Sequence, residues 1–269
     1  MKINLDRSMK ERIKLIMWIC IILLVAIIMA SSTLQKYYFT HPGNVGVYGK
    51  SQSGKTTLIF ELIRDRASMF RYENDELVSY KSIWIFHSVA FQPLYEELQL
   101  AVPGVNFYSR LPTEPIEEII TEQNRPALIF IDDQEELLNV SGENRIKNLA
   151  NRDCHHLDMM VIMSFQSLFP CGNESLNNQR QFDVYIFLTF PGNSNIKLKF
   201  EKVLEEKIFI KLIVKIWRKW TAKRGGYMLF DLHLYKLEGH KIILAWTKIL
   251  PDDQTDLPRM LVRNFHGMQ

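Results

Sequence analysis

Asn44-Val45-Gly46-Val47-Tyr48-Gly49-Lys50-Ser51-Gln52-Ser53-Gly54-Lys55-Thr56-Thr57-Leu58-Ile59-Phe60-Glu61-Leu62-Ile63 is the stretch whose reading decides the fold. Asn44 to Tyr48 reads as a short buried strand. Thr57 to Ile63 opens a helix, with apolar residues at helical spacing. Between them, Gly49 to Thr56 fits the pattern G-x-x-x-x-G-K-[ST]. Strand, glycine turn and helix, in that order, let successive backbone N–H groups and a helix N-terminus surround a polyphosphate. Glycine at 49 and 54 admits backbone conformations that a Cβ would oppose, and lets the chain come close to phosphate oxygens. The pattern assigns Lys55 to the β- and γ-phosphates and the Thr56 hydroxyl to Mg²⁺. The nucleotide-binding set is then Gly49, Lys50, Ser51, Gln52, Ser53, Gly54, Lys55, Thr56 and Thr57. The competing reading, a chance glycine-rich turn, does not account for a strand and a helix in register on either side.

Working outward, strands alternate with helices. Arg64 to Tyr80 is polar and reads as loop. Ser82 to His87 is β-branched and aromatic and reads as a strand, and Pro93 to Leu100 as a helix opened by proline. Val105 to Tyr108 reads as a short strand and Pro115 to Gln123 as a short helix opened by Thr113. Ala127-Leu128-Ile129-Phe130-Ile131 is a continuous apolar run, as in a strand buried on both faces of a parallel sheet. Asn144 to Asn151 reads as helix, and Met159 to Ser164 and Asp183 to Thr189 as further strands. The pattern predicts a doubly wound α/β fold with a mostly parallel central sheet and helices on both faces, its ligand at the carboxyl ends of the strands. The C-terminal third differs. Lys207, Lys211, Lys215 and Lys219 recur every four residues among Ile208, Ile210, Leu212, Ile213, Ile216, Trp217 and Trp220. That is a helix with a basic stripe, read as a sheet-covering helix whose lysines face water; a DNA- or membrane-contacting helix is the sharper alternative. Tyr227 to Leu232 and Lys241 to Trp246, joined by a loop at Glu238-Gly239, read as a β-hairpin.

The apolar run ends in Asp132-Asp133, and four hydrophobic residues leading into an acidic pair form a Walker B segment. Asp132 is then a Mg²⁺ ligand through water, and Asp133 orients or deprotonates the attacking water. Gln166, just past the Met159–Ser164 strand, either hydrogen-bonds the γ-phosphate or the water, or simply ends a strand. Cys154-His155-His156 with Cys171 lacks a second close ligand pair for zinc, so the histidines read as capping the next strand or lining a subunit interface. No Asn-Lys-x-Asp segment favours guanine, and no arginine-rich lid favours a kinase.

Composition is an ordinary globular balance: 47% hydrophobic and 23% charged residues, with a net charge of +3 too small to argue for nucleic acid by itself. Cys20, Cys154 and Cys171 make no disulfide framework. Ile13 to Ala30 is apolar but for Lys14, and just long enough to span a bilayer. The basic residues Lys2, Arg7, Lys10, Arg12 and Lys14 precede it, which would send the phosphate loop to the side away from ATP. Three readings stay open: an inverted anchor, an interfacial segment, or an extension foreign to the ATPase, with Met17 or Met29 as the start. The organisation expected is an N-terminal hydrophobic helix in 1–40, an ATPase domain in 41–255 and a tail in 256–269.

Taken together, these segments resemble the FtsK–HerA type packaging ATPases of Polinton (Maverick) elements, adintoviruses and related DNA viruses. The matching pieces, in order, are the phosphate loop, Phe91-Gln92-Pro93-Leu94-Tyr95, and Ala127 to Asp133. Cys154-His155-His156-Leu157 and Ser164-Phe165-Gln166-Ser167-Leu168-Phe169 follow, then Gly226 to Leu232 and Ile249-Leu250-Pro251-Asp252-Asp253. The resemblance implies an ATP-driven motor that threads double-stranded DNA into a viral capsid as a homo-oligomeric ring, usually a hexamer. It implies work at assembly sites in nucleus or cytoplasm, or at a membrane if Ile13–Ala30 inserts. Three positions depart from the pattern: Leu157 stands where relatives carry a basic residue, Phe190-Pro191-Gly192-Asn193-Ser194 replaces an Asn-Pro-Arg-Asp-like turn, and Trp246 replaces an arginine. A ring ATPase takes an arginine from its neighbour, worth about 10³–10⁵ in rate; Arg152 and Arg180 are the candidates here, neither within a motif. The departures leave nucleotide binding intact and put fast hydrolysis in question, as in a partly worn, endogenised copy. Two other readings are a membrane-anchored ATPase of assembly or secretion and a nucleotide-binding scaffold without turnover.

Overall fold

The computed structural model describes residues 38–88, 93–112, 114–133, 148–166, 182–190, 192, 214–215, 217–219, 221–222, 226–231, 241–246 and 259–263. The apolar N-terminal segment Ile13–Ala30, Lys207, Lys211, Cys171, Arg180, Thr113 and Ile249–Asp253 lie outside these. Among the described residues no helix is long and apolar enough to cross a membrane.

The strands are β1 (Phe39–His41), β2 (Gly43–Tyr48), β3 (Phe70–Tyr72), β4 (Ser82–His87), β5 (Val105–Tyr108), β6 (Ala127–Asp132), β7 (Met159–Phe165), β8 (Val184–Phe187), β9 (Tyr227–Asp231), β10 (Lys241–Trp246) and β11 (Arg259–Arg263). Nine of them form one sheet in the order β11-β10-β9-β8-β2-β7-β6-β4-β5. From β8 to β5 every pairing is parallel, and β8, β9, β10 and β11 pair antiparallel, so the sheet is mostly parallel with an antiparallel flank. The hairpin read at Tyr227–Trp246 is present as β9 and β10, and β11 of the stretch 256–269 pairs with β10.

The inner strands β6, β7 and β8 are covered on both faces, which is why they read as largely apolar runs. On one face Val45, Val47, Leu128, Phe130, Met160, Ile162, Val184 and Ile186 pack against Ile59, Phe60, Leu62 and Ile63 of helix α1 (Lys55–Arg64). Tyr95 and Leu98 of α2 (Pro93–Ala101) complete that layer. The alternate residues Ala127, Ile129, Ile131, Met159, Val161, Met163, Tyr185 and Phe187 meet Leu149, Cys154 and Trp217 on the other. Within the basic stripe, Lys215 and Lys219 are exposed while Trp217 is fully buried against Phe187 and Phe230, as a sheet-covering helix requires.

Three strands were not expected: β11, in the stretch read as a tail, and two nearer the amino end. Phe39–His41 and Phe70–Tyr72 pair in parallel as a separate two-stranded sheet, with β3 inside the stretch read as polar loop. The helix expected at Pro115–Gln123 is instead two pieces, Ile116–Ile119 and a tighter turn at Glu122–Asn124. The segment ahead of β7 runs on as a wide π-type turn, Leu149–Asp153, into a last helical turn, Cys154–His156, so the two histidines end a helix.

At the amino ends of the strands, His41 is fully buried, with Nε2 bonded to Asp158 Oδ1 at 2.9 Å and Nδ1 to the Tyr80 hydroxyl at 3.3 Å. Burial lowers its pKa from the ordinary 6.5, and Asp158, on the solvent side, offsets this only in part. A lowered folded value means that the unfolded chain takes up a proton first as the pH falls. Stability is therefore complete above 6.5 and is lost as the pH drops through the folded value. Urea midpoints at about pH 7.5 and about pH 5.5 are expected to fall more in the wild type than in His41→Gln. Equal falls in the two proteins would remove His41 from the acid response.

Candidate functional site at the carboxyl edge of the sheet

The glycine loop Gly49–Gly54 is held from both sides. Tyr48, the last residue of β2, gives its carbonyl to Leu188 N–H (2.8 Å), and Gly49 N–H bonds to the Phe165 carbonyl (3.0 Å). The Tyr48 ring lies between Phe165 and Phe187, with centroids 5.1 and 5.2 Å away and planes 22° apart in each case. Aromatic contacts of this kind contribute about 0.5–1.5 kcal/mol each beyond burial. A Cβ at position 49 would lie 2.3 Å from Ser53 Oγ and 3.2 Å from Leu188 Cβ, so a larger residue there would force Ser53 and Leu188 to shift. Gly54 takes φ +94°, a left-handed conformation, and hands the chain to α1 at Lys55.

The first turn of α1 carries no acidic side chain, which leaves the positive end of a ten-residue helix for an anion. Lys55 is 8% exposed, and its ammonium donates to the carbonyls of Gly49 (2.8 Å) and Lys50 (3.3 Å). Ser53 Oγ is buried and finds no hydrogen-bond partner among the described residues, an unmet polar atom in the loop. Lys50, Ser51, Gln52 and Thr57 are exposed.

The two aspartates arrive at the same edge. Thr56 Oγ1 donates to Asp132 Oδ2 at 3.0 Å, which joins the two segments across the sheet. β7 stands between their strands and supplies the bridge. Ser164 Oγ donates to Asp132 Oδ1 at 2.6 Å and accepts the Asp133 N–H at 3.0 Å. Asp133 has φ +50°, a left-handed conformation that costs a residue with a Cβ about 1–2 kcal/mol. Two hydroxyls hold it there: Ser164 takes its N–H, and Ser88 Oγ, after β4, donates to its carbonyl at 2.7 Å. That turn presents the carboxylate to Gln166, whose Nε2 donates to both Asp133 oxygens at 3.1 Å.

The sequence-based set therefore splits. Thr56, Asp132, Asp133 and Gln166 form one connected chain of hydrogen bonds through Ser164, and Lys55 sits in the adjoining loop. Sequence reasoning gave no role to Ser164 or Tyr95. Ser164 is the one hydroxyl in the apolar strand Met159–Phe165, and that isolation is the signal it offered. Tyr95, in the first turn of α2, donates its hydroxyl to Asp132 Oδ2 at 3.0 Å. Burial first, then the neighbouring Asp132, pushes the phenol well above its ordinary range and keeps it a donor.

The donor set fits a nucleoside triphosphate with Mg²⁺. An unpaired hydroxyl, a buried ammonium and a helix N-terminus suit the phosphates. A threonine hydroxyl against one carboxylate suits a cation that keeps most of its waters. The zinc alternative is poorly served by Cys154: it is buried, takes Asn44 Nδ2–H at 3.8 Å, and burial pushes its thiol up to about 12, so it stays protonated. His155 pairs with Asp183 at 3.5 Å. Arg152 is paired with Asp153 at 2.7 Å, ahead of β7.

No protein-family model and no curated protein matches the chain. Among solved structures, it is similar to the genome packaging NTPase B204 from Sulfolobus turreted icosahedral virus 2 in complex with AMP. That match has 14% identity over 72% of this chain and 94% of that one, with a TM-score of 0.47. The DNA-packaging ATPase B204 from Sulfolobus turreted icosahedral virus matches at 13% identity, with the same coverage and TM-score. EssC (ATPases 2 and 3) from Geobacillus thermodenitrificans matches at 17% identity over 54% of this chain and 32% of that one, with a TM-score of 0.38. The α/β assignment rests on this chain's own strand order, not on these likenesses.

Proposed function

We propose that this chain is a Mg²⁺-dependent P-loop ATPase that translocates double-stranded DNA into a viral capsid as a homo-oligomeric ring, in the manner of the FtsK–HerA packaging ATPases. The observation that carries the ATPase reading is the 3.0 Å bond between Thr56 of the glycine loop and Asp132 of the acidic pair, two motifs that sequence separates by 76 residues. Lys55 would lie against the β- and γ-phosphates, and Thr56 and Asp132 would hold Mg²⁺, Asp132 through water. When bound, Mg²⁺ supplies charge neutralisation at the phosphate oxygens. Asp133 would accept a proton from, or orient, the attacking water. Gln166, bonded to both Asp133 oxygens, would keep that carboxylate aimed until the γ-phosphate changes its surroundings.

The DNA part of the reading is supported by the order of sequence segments from the phosphate loop to Asp253; of the described ones, the glycine loop, Tyr95, Asp132-Asp133 and Ser164–Gln166 meet at this sheet edge, Tyr227–Asp231 forms β9, and Cys154–Leu157 lies at the opposite end of β7. ATP turnover of the full-length chain should rise several-fold on adding linear double-stranded DNA. Turnover indifferent to DNA would reduce the proposal to an ATPase of another cargo. A membrane-anchored ATPase of assembly or secretion rests on Ile13–Ala30 in the sequence, and carbonate extraction of the full-length chain separates it from a soluble motor.

A further inference from the structure

Asp132 Oδ2 accepts two hydroxyls, and they come from different parts of the fold. Thr56 Oγ1, at 3.0 Å, belongs to the phosphate loop. Tyr95 OH, also at 3.0 Å, belongs to the helix that crosses from β4 to β5. Nothing about Tyr95 requires a polar tip for packing alone. Its ring is fully buried, with centroids 5.3 Å from Phe60, 4.9 Å from His87 and 5.6 Å from Phe107, an environment a phenylalanine would fill as well. The hydroxyl is thus carried on a rigid, caged ring to one carboxylate oxygen. That oxygen also touches the threonine which the loop pattern assigns to the metal. Hydrogen bonds to the carboxylates of a metal site orient them and are worth about 10–100-fold in metal affinity or activity.

We infer that Tyr95 is a positioning residue of the Mg²⁺ site: from a preformed aromatic cage its hydroxyl fixes the Asp132 carboxylate in the orientation in which it and Thr56 serve one divalent cation. The inference rests on the Mg²⁺–ATP reading above. It separates Tyr95 from a structural tyrosine by one property, because the hydroxyl acts on the metal-dependent part of nucleotide binding and leaves the metal-free part alone. Ser164, on the other oxygen at 2.6 Å, cannot replace it, since it fixes Oδ1 and not the oxygen that faces Thr56.

The test is a titration of full-length wild type, Tyr95→Phe and Asp132→Asn with a fluorescent ATPγS analogue, in EDTA and at rising MgCl₂. Tyr95→Phe should bind the analogue in EDTA within about twofold of wild type, and should need about tenfold more Mg²⁺ for half of the Mg²⁺-dependent gain. An unchanged Mg²⁺ requirement, or a lowered one, overturns the inference. So does an equal loss in EDTA and in Mg²⁺, which would mark the hydroxyl as part of the packing. Asp132→Asn should lose the Mg²⁺ response. A wild-type chain that binds no analogue, or an Asp132→Asn that responds normally to Mg²⁺, overturns the site assignment itself, independently of what Tyr95→Phe does.

Discussion

Lys55→Ala is expected to lower ATP turnover by about 10²–10³ and to weaken nucleotide binding with it. The ammonium is buried at the loop, with the carbonyls of Gly49 and Lys50 as its partners. A preorganised, partly desolvated cation acts on developing phosphate charge more strongly than it would in solution. Alanine removes the charge and leaves two carbonyls short of a donor, so a modest loss of stability accompanies the loss of function. Isothermal titration with ATPγS beside a phosphate-release assay separates the two. Wild-type affinity and turnover in a folded Lys55→Ala protein would show that the loop serves another ligand.

Asp133→Asn is expected to behave differently: turnover falls by about 10²–10⁴ while Mg²⁺–ATP binding survives. The amide is nearly isosteric and keeps the left-handed turn, because Ser164 and Ser88 hold the Asp133 backbone and not its side chain. What is lost is the proton acceptor, and one of the two Gln166 contacts becomes a clash of donors. Single-turnover kinetics with a parallel binding measurement gives the answer. If binding falls as much as turnover, Asp133 belongs to the metal or phosphate shell and some other group handles the water.

Why some of this was legible in sequence and some was not has a physical basis. β2, β6, β7 and β8 sit between two packed layers, so both of their faces are apolar and the runs announce themselves. The glycine loop shows because a side chain at position 49 would crowd Ser53 and Leu188, and because Gly54 takes a left-handed φ. β1 and β3 escaped notice: at three residues each they have no period to detect, and their pairing is non-local. The break in Ile116–Asn124 and the π-type turn at Leu149–Asp153 are tertiary adjustments that propensity does not encode. Of the site, the motif residues were readable by spacing. Tyr95 and Ser164 were not, because their importance lies in which oxygen of Asp132 each one reaches.

The placement of β2 has a consequence for how the chain is made. This strand lies early in the sequence, yet its neighbours in the sheet are β7 and β8, and Asn44 exchanges hydrogen bonds with Asp183 across 139 positions. During synthesis the segment therefore leaves the ribosome with neither of its lateral partners in existence. Contacts of such long sequence separation form slowly, because the intervening loop entropy must be overcome first. A nascent chain cut short before Val184 would carry every residue of the glycine motif and still lack β8 and the Leu188 N–H, which hold one side of the loop.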